Sequence, residues 1–73
     1  MKLGKYQHFK GRIYEVIGIA KHTETLEELV VYRDVYDSKD FQGNDLWVRP
    51  KTMFMGDVII EGNKIPRFKY IEE

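Results

Sequence analysis

A chain of 73 residues carries 12 basic and 12 acidic side chains, no cysteine, and ten aromatic residues: five Tyr, four Phe and one Trp. That length excludes a second domain, the absence of cysteine excludes disulfides, and zero net charge excludes a general electrostatic pull on nucleic acid. A domain this short buries only ~60% of the surface its unfolded chain exposes, so aromatic side chains, at ~150–250 Å² each, must supply most of the core.

We expect one domain over residues 1–73. Helical heptads are absent, and short β-branched and aromatic runs are separated by Gly, Asp and Asn. Lys5–Phe9 reads as a first strand, followed by a tight turn at Lys10-Gly11 in which Gly11 takes a positive φ. Arg12–His22 reads as a long strand with apolar residues on both faces, and Gly18 marks a bulge or bend. Thr23–Leu26 is a polar turn, and Glu27–Tyr36 is the next strand, centred on Leu29-Val30-Val31-Tyr32. Asp37–Asp45 reads as an exposed loop.

Leu46–Arg49 is a short strand. Alternation puts Leu46 and Val48 on one face and Trp47 and Arg49 on the other. Pro50 cannot join a central ladder, but it can open a helical turn. We expect that turn over Pro50–Met55, with Met53 and Phe54 reaching the core and Gly56 ending it. Asp57–Glu61 and Lys64–Phe68 form a final hairpin around Gly62-Asn63. The expected fold is all-β: a small SH3-like barrel of five to six short strands with one helical turn, an open curled sheet being the alternative.

The first ten residues hold three lysines and no apolar run, so no secretory signal is read there. No apolar stretch approaches the length that spans a bilayer. A soluble, cytoplasmic protein is the expectation. The charges are unevenly placed. Residues 1–21 carry five basic and one acidic side chain, residues 22–47 two and seven, and residues 48–70 five and two. Pairing of the first and third segments in space creates a basic face; otherwise these charges solvate the surface.

Catalytic chemistry finds little support. Ser38 is the one serine, with no histidine near it in sequence, so a triad needs His8 or His22 to reach it. His22-x-Glu24 resembles part of the zinc-deaminase motif, which also requires cysteine ligands. Both histidines and Glu24 together suit a metal only if the fold gathers them, and a histidine near a strand end more often bonds the backbone. The glycines are dispersed, so no phosphate loop is read. We therefore assign no catalytic residue, no metal and no cofactor. What remains is an aromatic and cationic set: Tyr6, His8, Tyr32, Tyr36, Trp47, Arg49 and Arg67. Arginine offers a planar fork for carboxylate or phosphate, and aromatic faces offer stacking. The competing reading buries Trp47 in the core and pairs Arg49 with an acid such as Glu24.

The order of motifs is specific. Gly4-x-Tyr6-x-His8-Phe9-Lys10-Gly11 leads into Tyr14-Glu15-Val16, then Ala20-x-His22-Thr23-Glu24-Thr25 and Val31-Tyr32-Arg33. Leu46-Trp47-Val48-Arg49-Pro50, Met53-Phe54 and Pro66-Arg67-Phe68 complete it. Over residues 4–68 the chain resembles a bacterial domain family of unknown function, number 1653. Two departures stand out: Thr23 replaces the serine associated with that place, and Asp57 follows the helical turn one position late. The resemblance implies a small prokaryotic cytosolic protein and no particular activity. It singles out His8, Lys10, His22, Glu24, Arg49 and Arg67, as a site or as an ion-pair network fixing the fold.

Three functions compete. The first is a binding module for a small anionic or ring-bearing ligand, or for single-stranded nucleic acid, on the Trp47/Arg49 face rimmed by His22, Glu24, Tyr32 and Arg67, with Tyr6 and His8 also in the binding set. The second is an interaction or scaffold protein working through a sheet edge or a homodimer. The third is an enzyme with His22 and Glu24 as an acid–base pair. No membrane partner is expected.

Overall fold

The computed structural model describes residues 1–35 and 45–73. Tyr36, Ser38 and the expected loop up to residue 44 lie outside the described residues. Among the described residues, seven strands, rather than the expected five to six, and one helical turn follow in order: β1 (Gly4–His8), β2 (Ile13–Lys21), β3 (Glu28–Asp34), β4 (Leu46–Pro50), α1 (Lys51–Phe54), β5 (Asp57–Ile60), β6 (Asn63–Pro66) and β7 (Phe68–Glu72). The fold is all-β. β4-β3-β2-β1-β7 form one antiparallel sheet, and β5-β6 form a separate two-stranded ribbon. β4 and β7 are the outer strands of the larger sheet and do not pair with each other, so the expected closed barrel is not formed. No helix among the described residues is long and apolar enough to cross a membrane.

Register explains the two-faced apolarity of the second strand. Val16 lies opposite Tyr32, but Gly18 lies opposite Val31, so Ile17 is an extra, bulged residue. A bulge reverses the alternation beyond it. Val16 before it and Ile19 after it therefore share the inner face with Tyr32 and Val30, their cross-strand partners. The bend expected at Gly18 is present. The first turn also holds: Gly11 has φ 106°, and its N–H donates to the His8 carbonyl at 2.7 Å.

The C-terminal third departs from expectation. The two-residue turn is Glu61-Gly62, one place earlier than Gly62-Asn63, because Ile60 pairs with Asn63. Both turn residues have positive φ, 50° and 80°, as a type I′ hairpin requires. The expected last strand divides at Arg67. Pro66 has no N–H to extend the ribbon ladder. Arg67 donates its N–H to the Gly56 carbonyl and accepts from Phe9 N–H. Phe68 then opens β7, which pairs with β1.

The core is aromatic. Phe54, Val16 and Val30 are fully buried, joined by Tyr6, Tyr32 and Phe68, with Tyr14 and Tyr70 packed on them. Phe54 stacks on Phe68 with ring centroids 3.9 Å apart and planes within 5°. Tyr6 and Tyr32 each stand 5.4 Å from Phe54. α1 carries Phe54 into this cluster. Pro50 precedes it as the N-terminal flanking residue and also ends β4, an edge strand where proline is tolerated. Met53, expected in the core, is 49% exposed. One helical turn spreads neighbouring side chains by ~100°, so only one of the pair faces the sheet.

Candidate functional site

β3 and β4 bring Tyr32 opposite Trp47 and Val30 opposite Arg49. β2 adds Tyr14 opposite Asp34. These residues share the inner face, and beyond the core it opens into a cleft of about 350 Å³ lined by Arg12, Tyr14, Tyr32, Asp34, Trp47 and Arg49. That volume sits at the small end of ligand sites. A larger depression of about 610 Å³ lies beside Lys2–Gly4 and Val16 and presents no aromatic ring.

The Trp47 indole N–H donates to Asp34 Oδ2 at 2.9 Å. Asp34 is buried, so the bond is partly screened from water and holds the indole in place. Trp47 is nevertheless 44% exposed as a residue and lines the cleft. Arg49 lies alongside: Nε donates a long bond to the Tyr32 hydroxyl at 3.4 Å, and Cζ stands 5.6 Å from the Phe68 ring centroid. The ring face attracts the cation without neutralising it. Neither Arg49 nor Arg67 forms an ion pair among the described residues. The pairing of Arg49 with Glu24 is not made. Arg33 does find a carboxylate, Glu15 at 2.6 Å, on the outer face.

His8 extends the basic side of this face. Its ring meets Phe68 edge-on at 4.9 Å and Phe9 at 4.4 Å. Nδ1 accepts the Lys10 backbone N–H at 3.2 Å, which leaves the neutral ring's proton on Nε2. Burial, then the positive charges of Arg49, Arg67 and Lys10, hold the His8 imidazole below its usual range. Arg67 Nε is buried and has no hydrogen-bond partner among the described residues; leaving such a group unmade costs ~1–3 kcal/mol.

The His8 shift has a direct consequence for stability. Unfolded His8 titrates near 6.5 and the folded form lower. Below that pH the unfolded chain binds more protons, so this contribution is complete above the unfolded value and is lost as pH falls toward the folded one. We expect His8→Gln to flatten this part of the stability profile. Urea unfolding from pH 7.5 to 5 checks it; identical slopes in both proteins would contradict the assignment.

The other sequence candidates are dispersed. Tyr6 is buried in the core, its hydroxyl donating to the Lys2 carbonyl at 2.6 Å, and burial raises its pKa. His22 and Glu24 occupy the β2–β3 turn, beyond the Lys21–Glu28 pair and away from the Tyr14–Asp34 end. His22 Nδ1 accepts the backbone N–H of Glu24 at 3.1 Å and of Thr25 at 3.4 Å. Glu24 thus meets His22 through its main chain, and its carboxylate is exposed. No group of three or more His, Asp or Glu among the described residues could hold a metal ion.

Three cleft residues escape the sequence reading: Arg12, Tyr14 and Asp34. The signal for Asp34 was present, since period two carries Val30 and Tyr32 on to Asp34. Tyr14 and Arg12 depend on how β2 pairs, which alternation within one strand does not reveal.

A comparison with curated protein sequences finds no match. Among solved structures, the fold is similar to a crystal structure of a DUF1653 protein from Bordetella bronchiseptica, with a TM-score of 0.82 and 31% identity over 97% of this chain and 87% of that one. The family model described as "Protein of unknown function (DUF1653)" matches residues 4–70. With nearly the whole chain inside that match and the same fold in a solved relative, the protein belongs to the DUF1653 family.

Proposed function

We propose that the domain is a cytoplasmic binding module for a ligand that is both flat and anionic, a small molecule or a stretch of single-stranded nucleic acid. The carrying observation is the cleft pairing: an accessible tryptophan, tethered by Asp34, beside an arginine that forms no ion pair among the described residues. Trp47 supplies the stacking wall and Arg49 the charge. The helical turn between β4 and β5 supports reading the architecture as an SH3-like arrangement left open, although seven strands are present rather than the expected five to six, and that likeness concerns fold and not ligand.

Oligothymidylate is a suitable first probe. We expect it to quench Trp47 fluorescence. Trp47→Ala should weaken binding by ~1–3 kcal/mol, the usual worth of one stacked base. Arg49→Ala should weaken it further and flatten its salt dependence. Binding unchanged in Trp47→Ala would remove the stacking role, and an Arg49→Ala protein that fails to fold would make that arginine structural.

A second reading has one specific observation. On the outer face of edge strand β4, Leu46 is 62% and Val48 59% exposed, which suits contact with a partner protein or a second copy. Sedimentation distinguishes it: a monomer at all concentrations argues against self-association.

A further inference from the structure

The binding reading leaves the anion unspecified, and the basic residues at Phe68 and next to it in the chain narrow it. β1 places His8 opposite Phe68. β4 lays the Arg49 guanidinium over the same ring, 5.6 Å from its centroid. Arg67 directly precedes Phe68, with its Nε buried and without a hydrogen-bond partner among the described residues. Lys10 follows in the β1–β2 turn, tied to His8 by its backbone N–H. Lys69 lines a second cleft of about 290 Å³ that also includes His8. No described carboxylate pairs with Arg49 or Arg67. Cations drawn together without a counter-charge repel one another, and here their mutual field is felt at His8.

We propose that the anionic part of the ligand is a phosphate group, held by the guanidiniums of Arg49 and Arg67 with the Nε2–H of His8 as a further donor. The inference rests on the proposed ligand site and deepens it. A carboxylate has two oxygens, which one guanidinium fork satisfies. Two guanidiniums and an imidazole match the three terminal oxygens and greater charge of a phosphate monoester. Arg49 links the two parts of the site, since it borders both the Trp47 cleft and the Phe68 ring. A nucleotide fits this division, with its base on Trp47 and its phosphate toward Arg67.

The test separates the two parts by choice of probe. Inorganic phosphate is titrated into the full chain at constant ionic strength, with acetate as control, while NMR follows the His8 ring protons and the Arg67 Nε–H. We expect phosphate, and not acetate, to raise the His8 pKa and shift the Arg67 signal, because an anion nearby favours the imidazolium. Arg49→Gln should weaken the phosphate response by about tenfold or more, the worth of a charge-assisted bond. Arg67→Gln, its fold checked by the amide spectrum, should do the same. Equal His8 titration in phosphate and acetate overturns the proposal, as does a phosphate response that survives both substitutions. Thymidine, which has no phosphate, tests the stacking part alone. Thymidine binding without a phosphate response sinks the phosphate site only; the reverse keeps the phosphate site and sinks the stacking.

Discussion

Phe54→Ala is expected to remove about 3–5 kcal/mol of stability, the usual cost of deleting a buried phenyl ring. A domain of this length holds only ~4–11 kcal/mol by per-residue scaling, so the loss takes a large share of the total and all of it at the lower end of that range. The reason lies in where the ring sits. Phe54 is the one buried residue of α1, and it touches Tyr6 from β1, Tyr32 from β3 and Phe68 from β7. The larger sheet is not closed on itself, so this side chain ties together strands that hydrogen bonds alone leave open at both edges. Urea unfolding and near-ultraviolet dichroism read the effect. A loss below about 1 kcal/mol, typical of a peripheral site, would show that the cluster does not depend on this ring.

Gly4→Ala is the second large effect. Gly4 has φ 127°, a region costing a residue with a side chain ~1–3 kcal/mol. An added Cβ would also lie 2.6 Å from the Glu72 carbonyl oxygen and 2.8 Å from Glu73 Cα. The register of β1 against β7 shifts between Lys5 and Tyr6, beside this contact. We expect the end of β7 to detach and the midpoint to fall by about 4–8 °C per kcal/mol lost. Calorimetry and amide exchange at Tyr70–Glu72 measure both. Gly18→Ala is the control: its φ is not positive, and an added Cβ there meets nothing within 4 Å. A Gly4→Ala midpoint no lower than that of Gly18→Ala would contradict the argument.

The contrast between those glycines shows how much a sequence discloses. Gly18 reads as a bend, and a bulge is present, yet the bulged residue is Ile17 and the space around Gly18 is open. Gly4 carries no local signal, because its constraint comes from backbone almost seventy residues further along. The candidate site divides in the same way. Trp47 and Arg49 share a face because strands alternate, and Tyr32 lies opposite Trp47. Charge and motif group His22 and Glu24 with them, but their turn closes the far end of the β2–β3 ladder.

Alternation and turn chemistry are local consequences of backbone geometry. They alone determined that this chain is all-β, where β1 to β4 run, that a helical turn follows Pro50, and that indole and guanidinium point the same way. Strand partnership is not local. Only the tertiary structure decided that Arg67 ends one ladder so that Phe68 can begin another against β1, that the sheet stays open, and that His8 and Arg49 meet at a single ring. Those outcomes arise from burying a few large aromatic rings together, a collective gain that no short stretch of sequence contains.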